Sequence, residues 1–203
     1  SPFMPDTGAL CRSLANESDG WQGLRAGKVR FPNTRGKIIL LFGKTVMSRE
    51  NVFTSNVVWT GNTGEGTRSY RGYTRSWNVE VPGKPVIQCS NDPELGGDPT
   101  LMNPEDMLLS ALSACHMLWY LHLASQAGIV VTRYRDEPVG LGETAPDGAG
   151  RFVSATLHPR ITVLPGTDLV RAEAIHHEIH KVCFIARSVA FPVRIEPTFA
   201  LEN

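Results

Sequence analysis

The chain has 203 residues, of which 41% are hydrophobic, and it carries 20 Lys and Arg residues against 20 Asp and Glu residues. This length is sufficient for a hydrophobic core that needs no disulfide framework. A formal net charge of zero lacks the general attraction to phosphate on which nucleic-acid binders depend, so nucleic acid is not an expected partner.

The charge is unevenly distributed along the chain. Residues 1–46 contain seven basic and three acidic residues, whereas residues 47–203 contain 13 and 17, so the two parts carry +4 and −4. The first 36 residues also lack hydrophobic periodicity. We therefore interpret residues 1–46 as an N-terminal extension and residues 47–203 as the folded domain. No secretory or organelle-targeting pattern is recognisable, which predicts a cytoplasmic protein.

Short strands are predicted in the first part of the domain. Residues 52–60 and 68–80 are rich in β-branched and aromatic side chains, and the Gly-containing cluster at 61–64 separates them. A further short strand is predicted at 85–87. These segments favour an antiparallel set of strands.

A long helix follows. Asn103 is a suitable N-cap, Pro104 suits the first helical position, and Gly128 ends the helix. Residues 107–132 contain no charged side chain, and this uncharged run of 26 residues is long enough to span a bilayer. Ser, Cys, His and Gln residues interrupt it, so we favour a central, buried helix and expect no membrane partner.

The second half adds further strands and a second helix, which predicts an α+β fold. Strands are predicted at 129–132, 152–163 and 191–201. Thr167 or Asp168 can cap the second helix, whose apolar residues recur at spacings of three and four through Cys183 to Ala186.

Four cysteines lie at positions 11, 89, 115 and 183, and they form no CxxC motif. Cys115 and Cys183 each fall within a predicted buried helix, where a small core residue is the simplest interpretation. Because the two helices must pack together, the two thiols could also form a pair. A reactive Cys115 in mid-helix would need a nearby cation to hold it as a thiolate. The candidate cations are His116, Arg68, Arg71 and Arg75.

A metal site is an alternative use of the second helix. His176, His180 and Cys183 stand at positions i, i+4 and i+7, which would place them on one helical face. Zinc would still need a fourth ligand or an open position.

The motifs around the two cysteines resemble the OsmC/Ohr family of organic hydroperoxide reductases. The resemblance is carried by Asn103-Pro104-Glu105 at the start of a helix that contains Ser113-Ala114-Cys115-His116, and by His180-x-x-Cys183-Phe-Ile-Ala-Arg187. It covers roughly residues 53–201. It implies an OsmC-like fold, in which antiparallel β-sheets pack around two central buried helices and two chains form an intertwined homodimer.

The resemblance also implies roles for individual residues. Cys115 would attack the peroxide and become a sulfenic acid, and Cys183 would resolve it to a disulfide. Glu105 would orient an arginine beside the thiolate, for which Arg75 is the first candidate and Arg71 the second. A dithiol of the lipoyl type would restore the enzyme, and no cofactor is expected. His116 and Phe184 stand where well-characterised members have an aromatic residue and a proline.

Helix geometry constrains this assignment. Ten helical residues separate Glu105 from Cys115 by about 15 Å, so the two side chains cannot share a site within one straight helix. If both act together, Glu105 must come from a second copy. The leading expectation is therefore a dimeric, thiol-dependent peroxidase for organic hydroperoxides. The alternatives are a non-enzymatic dimer of the same fold that binds a small molecule or partner, and a zinc protein.

Overall fold

Two α-helices and nine short strands make up the part of the chain that the computed structural model describes, residues 50–203. The predicted extension at residues 1–46 and its boundary at Met47 lie outside the described residues. The mixed α+β class is as expected from the sequence, although several element boundaries differ from the predicted ones.

The first three strands form an antiparallel sheet in the order β1-β2-β3. They span Asn56–Trp59 (β1), Trp77–Glu80 (β2) and Ile87–Cys89 (β3). Trp59 pairs with Trp77, and Trp77 pairs with Cys89. The predicted strand at 68–80 begins too early, because the strand observed there starts at Trp77. Before it the chain forms a turn, in which the Gly72 amide donates to the carbonyl of Ser69.

Helix α1 spans Pro104–Gln126 and has the predicted boundaries. The Asn103 side chain accepts a hydrogen bond from the Asp106 amide at 2.8 Å, and the Asp106 carboxylate accepts one from the Asn103 amide at 3.2 Å. This reciprocal capping box satisfies two amides that the helix itself leaves free. Gly128, with a φ of 75°, adopts the left-handed conformation that follows many helix ends.

Within residues 50–203, α1 is the one helix long and apolar enough to cross a membrane. Core helices of globular proteins pass the same test of length and composition. The packing favours a core helix, because Tyr120 and Ala124 belong to the main hydrophobic cluster and Leu112 to a second one. The prediction of burial nearly all round is wrong for a single chain, however, since only four of the 23 residues are buried.

The remaining strands form two sheets, β4-β7-β9 and β5-β6-β8. They span Val131–Arg135 (β4), Val139–Thr144 (β5), Gly150–Leu157 (β6), Arg160–Val163 (β7), Val193–Ile195 (β8) and Thr198–Leu201 (β9). The expectation of purely antiparallel sheets is wrong, because β6 pairs with β8, and β7 with β9, in parallel. Helix α2 precedes β8 and β9, and a helical connection allows a strand to return in parallel.

Three predicted elements in this half need correction. The strand at 152–163 is two strands in different sheets, divided at Pro159. The final strand at 191–201 is likewise divided, into β8 and β9. Strand β5 was not expected, because Gly140 and Gly142 weaken its strand pattern. Gly140 is required there, since the Phe152 ring would lie 2.5 Å from any added Cβ atom.

Helix α2 spans Leu169–Ile179 and is capped by the Asp168 side chain, which accepts a hydrogen bond from the Arg171 amide. It ends four residues before Cys183, so the prediction that Cys183 lies within this helix is wrong. The carbonyl of Ile179 accepts hydrogen bonds from the amides of Val182 and Cys183. The chain therefore tightens into a turn that buries Cys183 against the main core.

Large apolar side chains remain exposed on several elements of the single chain, α1 and β1 among them. Leu118 on α1 is 63% exposed and Val57 on β1 is 67% exposed. All four residues of β1 are exposed. Exposed apolar side chains of this size are available for contact with another protein chain.

The capping box predicts a measurable contribution to stability. Replacing Asn103 by Ala should lower the free energy of unfolding by about 1 kcal/mol, because the Asp106 amide loses its acceptor. Asn103→Ser keeps a capping oxygen and should remain close to wild type. Urea denaturation followed by circular dichroism compares the three proteins, and equal stability of the Ala variant would contradict the role of the cap.

Candidate functional site

The structure brings Cys115 and Cys183 together. Cys115 lies in the middle of α1, and Cys183 lies in the turn that follows α2. Their Sγ atoms are 2.9 Å apart, with the Cys183 thiol donating to the sulfur of Cys115. Both are free thiols. A disulfide between them would need the sulfur atoms to approach by less than about 1 Å.

The two thiols differ in accessibility and in their tendency to ionise. Cys183 is fully buried, whereas Cys115 is partly exposed. Burial raises the pKa of Cys183 to about 11, and its hydrogen bond to Cys115 acts in the same direction, while the amide of Ala186 opposes them by donating to its sulfur. Cys183 therefore stays protonated at neutral pH, and Cys115 is the sulfur that a reagent from solution can reach.

Neither Glu105 nor Arg75 forms a hydrogen bond with this pair in the same chain. Glu105 is exposed in the first turn of α1, about 15 Å along the helix from Cys115. Arg75 precedes β2 and forms no hydrogen bond or ion pair with either cysteine or with Glu105. One chain alone thus unites the two cysteines but not the two residues expected to assist them. The second candidate arginine, Arg71, is exposed.

Arg75 is held by two tyrosines. Its guanidinium lies 4.1 Å from the centre of the Tyr70 ring and 4.5 Å from that of Tyr73, and its Nη1 donates to the Tyr73 carbonyl at 2.7 Å. Within residues 50–203 it has no carboxylate partner. Neutral aromatic faces and a carbonyl orient the guanidinium without neutralising it, so its charge remains available to an anion.

A buried histidine pair lies beside the cysteines and was not expected from the sequence. Nε2 of His116 and Nδ1 of His176 are 2.8 Å apart, and both side chains are buried. The sequence suggested His116 as a candidate cation beside Cys115 and His176 as a possible metal ligand. The 60 positions between them gave no local signal, although a histidine directly after Cys115 departs from the family pattern.

The zinc alternative does not fit this geometry. It required a continuous helix from His176 to Cys183, but α2 ends at Ile179. His176 bonds to His116, and Cys183 bonds to Cys115. Nowhere in residues 50–203 do three His, Cys, Asp or Glu side chains come together as a metal-binding group.

An open cavity of about 470 Å³ lies between the two helices, and neither cysteine lines it. Trp119, one turn after Cys115, and Val182, next to Cys183, are among its lining residues. Leu123 and Ile175 add apolar surface, and Lys181 lies at its polar side. The cavity can accept an organic group of moderate size.

The fold and the cysteine pair define an α+β protein with two thiols joined across its helices. A family model described as OsmC-like protein matches residues 96–198, just over half of the chain. The chain therefore belongs to the OsmC-like protein family, which confirms the resemblance found in its sequence.

Solved structures agree with this assignment. An OsmC-like protein of unknown function from Vibrio cholerae is 28% identical, with a TM-score of 0.66, and the match covers 73% of this chain and 100% of that one. An organic hydroperoxide resistance protein OsmC from Legionella pneumophila is 20% identical, with a TM-score of 0.53 and coverage of 74% and 99%. An organic hydroperoxide resistance protein from Elizabethkingia anophelis is 18% identical, with a TM-score of 0.54 and coverage of 76% and 100%. The last two likenesses concern the fold. Comparison with curated proteins gives no match.

The buried histidines predict a stability that depends on pH. Burial lowers the pKa of His116 to about 4 and that of His176 to about 3. As pH falls below 6.5, these imidazoles gain protons in the unfolded chain but not in the folded one, so folding loses stability. The loss should approach about 1.4 kcal/mol per pH unit for each imidazole between pH 6 and 4.

Urea denaturation at a series of pH values measures this slope. Carboxylates also destabilise folded proteins in acid, so the comparison is with the double variant His116→Gln/His176→Asn, whose side chains do not titrate. The variant should have a shallower slope than wild type. Equal slopes would mean that the two imidazoles titrate normally in the folded protein.

Proposed function

We propose that this protein is a thiol-dependent peroxidase that reduces organic hydroperoxides through a Cys115 sulfenic acid and a Cys115–Cys183 disulfide. The observation that carries the proposal is the 2.9 Å contact between an accessible and a buried cysteine sulfur. Two structural relatives, from Legionella pneumophila and Elizabethkingia anophelis, are organic hydroperoxide resistance proteins. The cavity between the helices, which Trp119 and Val182 help to line, supports an organic substrate over hydrogen peroxide.

The first chemical step uses the accessible sulfur. The Cys115 thiolate attacks one peroxide oxygen, the O–O bond breaks, and an alkoxide leaves. Cys115 becomes a sulfenic acid, and the alkoxide takes a proton to give an alcohol. A cation close to these atoms would stabilise both the thiolate and the leaving oxygen.

The second step uses the buried sulfur. Cys183 attacks the Cys115 sulfur, the S–O bond breaks, and the oxygen leaves as water with the proton that Cys183 loses. The Cys183 thiol keeps this proton at neutral pH because burial raises its pKa to about 11. The hydrogen bond to Cys115 directs that proton towards the sulfur that carries the hydroxyl group of the sulfenic acid. A dithiol, of the lipoyl type in our proposal, then supplies two electrons to reduce the disulfide.

We further propose that the active protein is a homodimer in which Glu105 and Arg75 of one chain act at Cys115 of the other. The distance of about 15 Å along α1 prevents Glu105 from acting on its own Cys115. The exposed apolar residues of α1 and β1 supply a surface for a second copy. The uncompensated charge of Arg75 would serve at the partner's thiolate, and Glu105 would orient its guanidinium.

Cysteine variants test the chemistry. Cumene hydroperoxide should consume two thiols per wild-type chain and form one intramolecular disulfide, whereas Cys115→Ser should consume almost no peroxide. Cys183→Ser should accumulate a sulfenic acid that dimedone traps. Thiol titration and intact mass spectrometry measure these products.

Cys89→Ser is the matched control, because Cys89 is also buried but contacts Met107 and not the cysteine pair. It should react like wild type. If Cys115→Ser consumed peroxide at the wild-type rate, the assignment of the reactive cysteine would be wrong. Unreactive wild-type thiols would instead favour a non-enzymatic dimer of the same fold.

Mixed dimers test whether the site is shared. Cys115→Ser and Glu105→Gln chains, coexpressed with different tags and purified as a heterodimer, should form one intact site of two. Such heterodimers should have about half of the wild-type activity, although each homodimeric variant is weakly active or inactive. A heterodimer no more active than the Glu105→Gln homodimer would show that Glu105 does not act across the interface.

A further inference from the structure

The two buried histidines lie on the two helices that position the cysteines, because α1 contains Cys115 and α2 ends four residues before Cys183. His116 directly follows Cys115 on α1, and His176 lies on α2, seven residues before Cys183. Their side chains are only 4% and 5% exposed. The 2.8 Å contact between their rings therefore crosses the interface between α1 and α2 where water is excluded.

Neighbouring groups hold this contact in place. The Tyr120 ring, one turn further along α1, stacks on the ring of His176 with 4.4 Å between centroids. The Tyr120 hydroxyl donates to the Ala172 carbonyl of α2 at 3.2 Å. Within the part of the chain that the structure describes, two hydrogen bonds join α1 to α2, namely His116 to His176 and Tyr120 to Ala172. His176 forms the first and stacks on the tyrosine that forms the second.

The surroundings indicate which ring donates. Nε2 of His176 is buried without a partner in residues 50–203, and a bare ring nitrogen is less costly there than an unpaired N–H. Nδ1 of His176 then carries its proton and donates to Nε2 of His116. Burial lowers the pKa of the His116 ring to about 4 against the opposing charge of Asp136, so the ring is neutral at pH 7 and its Nε2 can accept. Asp136 itself accepts hydrogen bonds from the Ser113 hydroxyl and the His158 amide.

A short, rigid path connects His176 to Cys183. Residues up to Ile179 are helical, and the Ile179 carbonyl accepts the Cys183 amide at 2.8 Å. A shift of α2 relative to α1 would therefore move Cys183 relative to Cys115.

We propose that His116 and His176 are positioning residues that hold Cys183 in line with the oxidised Cys115 and so set the rate of disulfide formation. This inference rests on the proposed function. The pair acts through the cysteines, and neither ring exchanges a proton with the substrate. Its main effect falls on the second step, because Cys183 is the nucleophile there and forms no covalent bond while Cys115 attacks the peroxide.

The rate of that step decides the fate of the sulfenic acid. Either Cys183 converts it to a disulfide, or a second peroxide molecule oxidises it to a sulfinic acid, which dithiols do not reduce. Misalignment of Cys183 gives the second peroxide more time to react. A weakened histidine pair should therefore appear as a higher fraction of sulfinic acid.

The test separates the two steps by rapid mixing with cumene hydroperoxide. His116→Leu and His176→Phe remove the hydrogen bond and retain side-chain bulk. We expect sulfenic acid formation within about twofold of wild type and disulfide formation roughly tenfold slower or more, since small misplacements of reacting groups have effects of this size. Mass spectrometry should show more sulfinic acid at equal peroxide. His177→Phe, at an exposed neighbouring position, is the matched control and should behave like wild type.

Conservative variants distinguish the hydrogen bond from general packing. A Gln side chain at 116 carries a polar atom near the position of the imidazole Nε2, whereas Asn at 116 is too short to reach His176. His116→Gln should restore most of the disulfide rate and His116→Asn should not, and this comparison remains decisive if the apolar variants fail to fold. Equal disulfide rates for these two variants, or wild-type rates in a folded His116→Leu protein, would overturn the proposal. If the wild type itself loses no thiols to peroxide, the proposed function fails instead.

Discussion

The contact between the Cys183 turn and the middle of α1 is the constraint on which the rest of this structure depends. Helix α2 ends at Ile179, whose carbonyl accepts the Cys183 amide and so turns the chain. This turn buries Cys183 in the core that α1, α2 and the β4-β7-β9 sheet share. That burial keeps one sulfur protonated and leaves the other accessible. The chemical difference between two identical side chains is therefore a result of packing.

The same packing explains what one chain lacks. Helix α1 covers α2 with one side and leaves Leu118 and other apolar residues exposed on another. Arg75, just before β2, is held between Tyr70 and Tyr73 and forms no hydrogen bond with either cysteine of the same chain. In the homodimer that we propose, a second copy would cover the apolar surface and supply a cation and a carboxylate.

The sequence predicted the elements whose signals are local. The Asn103 cap, Pro104 and Gly128 define α1, because each acts within one helical turn of the end that it marks. The end of α2 was missed, since apolar spacing continues through Cys183 while hydrogen bonds to the Ile179 carbonyl turn the chain. The sequence carries no periodic signal for the parallel pairing of β8 with β6 and of β9 with β7, or for the contact of His116 with His176. Both depend on tertiary packing between distant segments.

Complete burial of Cys183 also has a consequence for how the oxidised protein would return to its resting state. An incoming thiolate can reach the sulfur of Cys115 but not that of Cys183, so Cys183 must be the leaving group. A thiol whose pKa is raised to about 11 leaves slowly. A reductant with one thiol would be displaced again by the neighbouring Cys183. A dithiol would avoid this back reaction. Its second thiol would attack its own first sulfur in the mixed disulfide, close a cyclic disulfide and release Cys115 before Cys183 can attack.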